Sequence, residues 1–96
     1  MAFPRRPNPV FSEEYRTIIR VLIAARKEAG MTQRALADQL RKARSHVSMI
    51  EKGQRRVDAL ELILIARCLR IQPVALLDRI DRSLAELADP NLSKAA

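Results

Sequence analysis

The sequence predicts an all-α protein, a compact bundle of five helices folded as one domain. Three observations predict it. Apolar residues recur at spacings of three and four, the period of a helix that buries one face. The two glycines, Gly30 and Gly53, both fall where a helical run should stop. The length of 96 residues suits one modest core, and from Ser12 onward nothing else breaks the helical pattern.

Residues 1–11 carry three prolines and two arginines and read as an extended basic arm. No apolar stretch follows Arg5 and Arg6, so this start is not expected to be a signal peptide. The domain is expected over residues 12–89, with a disordered tail over 90–96. The first helix is predicted over Glu13–Ala29. Ser12 caps it, Glu13 and Glu14 suit its positive end, and Gly30 closes it. Ile18, Leu22 and Ala25 form its inner stripe, broadened by Ile19 and Val21.

The second helix is predicted over Gln33–Leu40, capped by Thr32, with Leu36, Ala37 and Leu40 facing inward. The third is predicted over Arg44–Lys52 and ends at Gly53. Its Val47 and Ile50 point inward, which turns Arg44, Ser45, Ser48, Met49 and Lys52 outward. The fourth runs over Ala59–Leu69 behind a capping box of Asp58 and Glu61. It is apolar nearly all round, as in a helix at the centre of a core or under a partner. The fifth starts at Pro73, a favoured first-turn position, and runs to Ala88. Leu77, Ile80, Leu84 and Leu87 give it an apolar seam. That seam either exceeds the needs of one core and joins two copies, or packs inside the monomer.

Charge narrows the partner. The net charge is +7, and residues 1–57 hold 13 Lys/Arg against 5 Asp/Glu, whereas residues 58–96 hold 5 against 6. A basic front and a neutral back suit a chain that lays one face on a polyanion. No segment joins a broad cationic face to exposed Trp or Phe, so a membrane surface is disfavoured. The longest apolar runs, Val21–Ala25 and Leu62–Ala66, are far short of a membrane span. The three aromatics, Phe3, Phe11 and Tyr15, all lie near the N-terminus. Single-strand binders stack bases on aromatics, so a basic middle without them favours a duplex.

Catalysis and metal binding find little support. One histidine, His46, and one cysteine, Cys68, cannot assemble a zinc site or a nucleophile–histidine pair. No glycine-rich phosphate loop is present. No metal and no cofactor is expected. Cys68 sits in an apolar run and reads as an inert core thiol rather than a redox sensor.

The second and third helices are separated by Arg41, Lys42 and Ala43 alone. Two short helices so joined form a helix-turn-helix, in which the second enters the major groove and the first crosses near the backbone. A small residue is needed where they cross, and Ala37 supplies it.

These residues carry a resemblance. The segments LIAARKEAGMTQRALADQL, SHVSMIEKGQRRVDALELILIARCLRI and PVALL, spanning Leu22 to Leu77, resemble the Cro/repressor type of helix-turn-helix, the XRE family. The most specific piece is T-Q-x-x-L-A followed in order by V-S-x-I-E-K-G. The resemblance implies a repressor-like bundle that binds operator DNA as a dimer. It also implies roles by matched position. Gln33 falls where the family bonds a phosphate and buttresses the reading helix, beside Thr32. Arg44 and Ser45 fall on the first reading positions, Ser48 and Met49 on later ones. Gln54, Arg55 and Arg56 fall on a loop that often grips phosphate, after Lys52. Glu51 matches an acid that more often supports structure.

Two positions depart from the family pattern. Arg41 stands where glycine usually begins the turn. Either a left-handed residue costs on the order of 1 kcal/mol there, or the turn has another shape. Ala43 replaces the usual Ser or Thr cap, at a cost of roughly 1 kcal/mol.

The chemistry follows from side-chain type. Arg44 can present its guanidinium fork to guanine O6 and N7. Ser45 and Ser48 can bond base edges or phosphates. Met49 either touches a thymine methyl or packs against the second helix. His46 either approaches a phosphate or faces solvent. Arg5 and Arg6 either reach a minor groove or belong to a solubilising or dimer-swapped arm. The expected function is a cytoplasmic, bacterial or phage-encoded regulator of transcription, a repressor binding a palindromic operator in double-stranded DNA as a homodimer. The alternative is the antitoxin of a two-protein system that binds its own operator and covers a protein partner.

Overall fold

The computed structural model describes residues 12–89, which form five α-helices and, among the described residues, no strand. They are α1 (Glu13–Glu28), α2 (Gln33–Leu40), α3 (Arg44–Glu51), α4 (Ala59–Cys68) and α5 (Pro73–Ala88). The predicted ends of α1, α3 and α4 each ran one residue further, onto Ala29, Lys52 and Leu69, which are the C-caps. Arg5, Arg6 and the expected tail lie outside the described residues.

Three helices start on side-chain caps. Ser12 Oγ accepts from the Tyr15 N–H at 3.0 Å, Thr32 Oγ1 from Ala35 at 3.0 Å and Asp58 Oδ1 from Glu61 at 2.8 Å. α5 starts on Pro73 instead, and α3 has no side-chain cap at Ala43.

Four helices end alike. In each, an N–H two or three residues past the end reaches back five residues, to a carbonyl of the last turn. The bonds are Met31 to Arg26, Lys42 to Ala37, Gln54 to Met49 and Ile71 to Ala66, at 2.8–3.1 Å. This is the Schellman arrangement, which needs a left-handed residue just past the helix. Gly30 (φ 72) and Gly53 (φ 75) supply it twice, Arg41 (φ 59) and Arg70 (φ 60) twice. The turn at Arg41 therefore has the left-handed residue expected of a glycine there, and the alternative of another turn shape is not found. Arg70 is a second such position that no sequence signal marked.

The core joins all five helices. It contains Tyr15, Ile19, Leu22 and Ala25 of α1, Leu36 and Ala37 of α2, Val47 and Ile50 of α3, Ile65 and Ala66 of α4, Leu69 at its C-cap, and Leu76 and Ile80 of α5. Ala37 is fully enclosed where α2 packs on α3. α4 is two-sided: Ile65 and Ala66 point in, while Leu60, Ile63 and Leu64 remain exposed. α5 packs on α1 and α4 and closes the bundle with Leu76, which has no exposed surface. The apolar seam expected on α5 divides. Ile80 is 4% exposed and belongs to the core, Leu84 packs against it, Leu87 is half-buried, and Leu77 stays exposed beside Val74. The seam is split because α5 turns one side of it onto α1.

Candidate nucleic-acid interface

α3 owes its orientation to two buried side chains. Val47 and Ile50, 2% and 3% exposed, seat it on the core. The opposite side presents Arg44, Ser45, Met49 and Lys52, all exposed. The outward orientation expected of Ser48 is not found. Ser48 is buried, because it lies next to Val47 on the edge of α3 that packs inward. Met49 is 42% exposed, so packing against α2 does not cover it.

A chain of polar contacts runs behind this face. Arg26 of α1 donates from Nε to Glu51 Oε2 at 2.6 Å and from Nη2 to Glu51 Oε1 at 3.0 Å. The same Oε1 accepts from Gln33 Nε2 at 2.9 Å. That bond fixes which way the Gln33 amide points. Its Oε1 then faces Arg44, whose Nη1 donates to it at 3.0 Å. A side chain anchored in the interior thus sets the position of an exposed arginine through two intermediates. Arg26 also donates to the Met31 carbonyl at 2.8 Å, so all its contacts serve the α1–α2–α3 junction.

His46 takes neither of the positions expected for it. Its Nε2 meets Glu61 Oε2 at 2.5 Å, and both side chains are 14% exposed. The third residue of α3 is thereby tied to the first turn of α4. Glu61, whose backbone N–H is capped by Asp58, gives its carboxylate to this histidine.

The segment after α3 exposes Gln54, Arg55 and Arg56. It is anchored by Tyr15. The Tyr15 hydroxyl accepts from the Val57 N–H at 2.9 Å, and the Arg56 guanidinium lies 5.0 Å from the Tyr15 ring centre, within cation–π range. Thr32 is exposed, with its oxygen engaged as the cap of α2. Sequence reasoning missed Arg26 and Tyr15. Arg26 did carry a signal, since it falls one helical turn after Leu22 on the buried stripe of α1.

The assembled face has a projecting helix with a guanidinium and a hydroxyl at its start, a thioether midway and a lysine at its end. A loop with two further arginines follows. Guanidinium and hydroxyl groups suit base edges and phosphate oxygens alike, and the loop cations suit phosphates. Among the described residues there is no cluster of His, Cys, Asp and Glu that could hold a metal ion, and no helix long and apolar enough to cross a membrane.

Comparison with known proteins places this arrangement. A family model described as helix-turn-helix matches residues 22–76. Among solved structures, an XRE-family like protein from Pseudomonas syringae pv. tomato is 35% identical, with 72% of this chain and 84% of that one covered and a TM-score of 0.68. The restriction-modification controller protein C.Esp1396I is 27% identical over 78% of this chain and 97% of its own, with a TM-score of 0.71. That protein has also been solved as a tetramer in complex with its natural 35 base-pair operator. The clp gene regulator ClgR from Corynebacterium glutamicum, at 22% identity over 88% and 90% of the two chains and a TM-score of 0.69, shares the fold. No curated protein matches.

Proposed function

The chain belongs to the helix-turn-helix proteins of the XRE family, and from that premise we propose that it is a regulator of transcription that binds double-stranded DNA through α3. The observation that carries this reading is the two-sidedness of α3. Val47 and Ile50 are enclosed, while Arg44, Ser45 and Met49 stand exposed on a basic surface continued by Arg55 and Arg56. The operator complex of C.Esp1396I, a protein of the same fold, supports it.

Arg44 and Ser45 read base edges at the start of the helix, and Met49 meets a thymine methyl further along. Ser48, being buried, serves only at the margin. Thr32, Gln33, Lys52, Gln54, Arg55 and Arg56 hold the backbone, with Arg5 and Arg6 as an arm toward a minor groove. His46 acts behind the interface by holding α3 on α4. The protein is a cytoplasmic repressor that works as a homodimer on a palindromic operator, with half-sites about 34 Å apart. Leu77 and Val74, with Leu84 beside them on α5, supply its dimer contact, while Ile80 stays in the core and Leu87 borders the groove between α5 and α1.

Selection of bound duplexes from a random pool tests the reading. A two-fold symmetric motif is expected. An enriched motif without symmetry refutes the homodimer, and no enrichment refutes sequence-specific binding. Leu60, Ile63 and Leu64 of α4 are also exposed. They favour a second reading, in which a protein partner covers them as a toxin covers its antitoxin. Co-purification of a small partner from the native host would support it.

A further inference from the structure

We infer that Arg20 of α1 and Lys52 at the end of α3 form a second backbone-phosphate site, so that the first helix of the bundle grips the duplex as well. The inference rests on the reading of the protein as a duplex-DNA binder, and it concerns a residue that neither the motif nor the reading helix contains.

The exposed side of α3 ends at Lys52. Lys52 shares one open depression of about 290 Å³ with Gly53, Glu51 and four residues of α1: Arg16, Ile19, Arg20 and Ile23. The positive surface that begins at Arg44 therefore continues past the end of α3 and onto α1.

The depression contains one acid, Glu51, whose two oxygens accept three hydrogen bonds from Arg26 and Gln33. Its charge is answered from behind by Arg26, and it does not cancel the cations in front. Arg20 is already oriented. Its Nη2 donates to Thr17 Oγ1 at 3.0 Å, and the Thr17 hydroxyl, on a residue only 5% exposed, donates to the Glu13 carbonyl at 2.9 Å. That contact uses one of the five guanidinium donors, and the residue stays exposed. An exposed guanidinium with donors to spare, lining one open depression with an ammonium, suits a singly charged tetrahedral phosphodiester. It does not suit a base edge, because the depression lies beyond the end of the reading helix. The bond to Thr17 is made on the other flank of Arg20, where both residues border a groove between α1 and α5 that includes Glu86. If that flank alone engages Arg20, the residue merely braces the bundle.

Phosphate contacts are insensitive to sequence, so the probe can be a labelled duplex of arbitrary mixed sequence. The full chain is titrated onto it over a range of salt concentrations. Arg20→Gln should reduce the slope of log K against log salt by about 0.9, and Arg20→Gln with Lys52→Gln by about 1.8. Arg20→Lys should keep most of the slope, and thermal unfolding of all variants should match the parent. Arg55→Gln serves as the reference for a loop phosphate contact. If Arg55→Gln flattens the slope and Arg20→Gln does not, the α1 site is refuted and the functional reading stands. An unchanged slope with a lowered Tm for Arg20→Gln assigns the residue to the α1–α5 groove and likewise refutes the site. If the parent protein shows no salt-dependent duplex binding, both readings fall.

Discussion

Arg26 and Glu51 form a doubly hydrogen-bonded ion pair, with side chains only 10% and 9% exposed, that fastens the end of α3 to α1. Removing one partner leaves the other charge buried and unanswered. Arg26→Met should therefore destabilise the fold by about 3–5 kcal/mol, whereas replacing both residues with methionine should recover much of that loss. Urea denaturation of the two variants checks this. A loss below about 1 kcal/mol for the single variant would place the pair among exposed, weakly contributing ones.

Gln33 passes the position of Glu51 on to Arg44 through its amide. Arg44→Ala should cost roughly 1–3 kcal/mol and relax preference at one base position. Gln33→Ala should relax that same position, and the two substitutions together should fall short of additivity. Sites selected from random duplexes by each variant test the coupling. Preference kept intact in Gln33→Ala would leave Gln33 as a backbone contact only.

Tyr15 holds the loop after α3 by accepting from Val57. Tyr15→Phe keeps the ring beneath Arg56 and removes only the acceptor. It should cost about 1–2 kcal/mol, since a partly buried N–H loses its partner. Hydrogen exchange at Val57 should quicken more than in the core of α4. Equal protection in both proteins would show that another acceptor replaces the hydroxyl.

Two positions invite stabilisation. Arg70 takes a left-handed conformation that glycine adopts freely. The strain relieved in Arg70→Gly is about 1–2 kcal/mol, offset in part by the greater freedom of glycine in the unfolded chain. A net gain of about 0.5–1 kcal/mol should raise Tm by a few degrees. Ala43 begins α3 with no side-chain cap, and Ala43→Ser should add about 1 kcal/mol. Calorimetry of each variant measures both, and a lower Tm in either would contradict the account of that helix end.

Burial raises the Cys68 thiol above its ordinary value, so less thiolate forms at mildly alkaline pH. A thiol reagent should label the folded protein more slowly than the denatured chain. Equal rates would show that Cys68 is as accessible and as acidic as in an unfolded peptide.

The helix ends and the inward-facing residues were legible in the sequence because the signals are local. Ser12, Thr32 and Asp58 cap the N–H of the residue three further on, and Gly30 and Gly53 adopt conformations that few other residues accept. Val47 and Ile50 follow from spacing alone. Arg70 escaped notice because arginine carries no turn signal. Its left-handed backbone belongs to the turn in which the Ile71 N–H bonds back to the Ala66 carbonyl.

Periodicity, caps and charge are properties of neighbouring residues, and they suffice to specify five helices with a helix-turn-helix in the basic half. Which polar side chains meet depends on the packing of the helices. Arg26 and Glu51 are 25 residues apart, Tyr15 and Val57 are 42 apart, and His46 and Glu61 are 15 apart. That packing also turns Ser48 inward and takes Ile80 from the apolar seam of α5 into the core. The reason is geometric. A local pattern gives the side of a helix on which a residue lies. The exposure of a residue at the edge of that side, and the partner of each donor, depend on how the helices are rotated and spaced when the whole core closes.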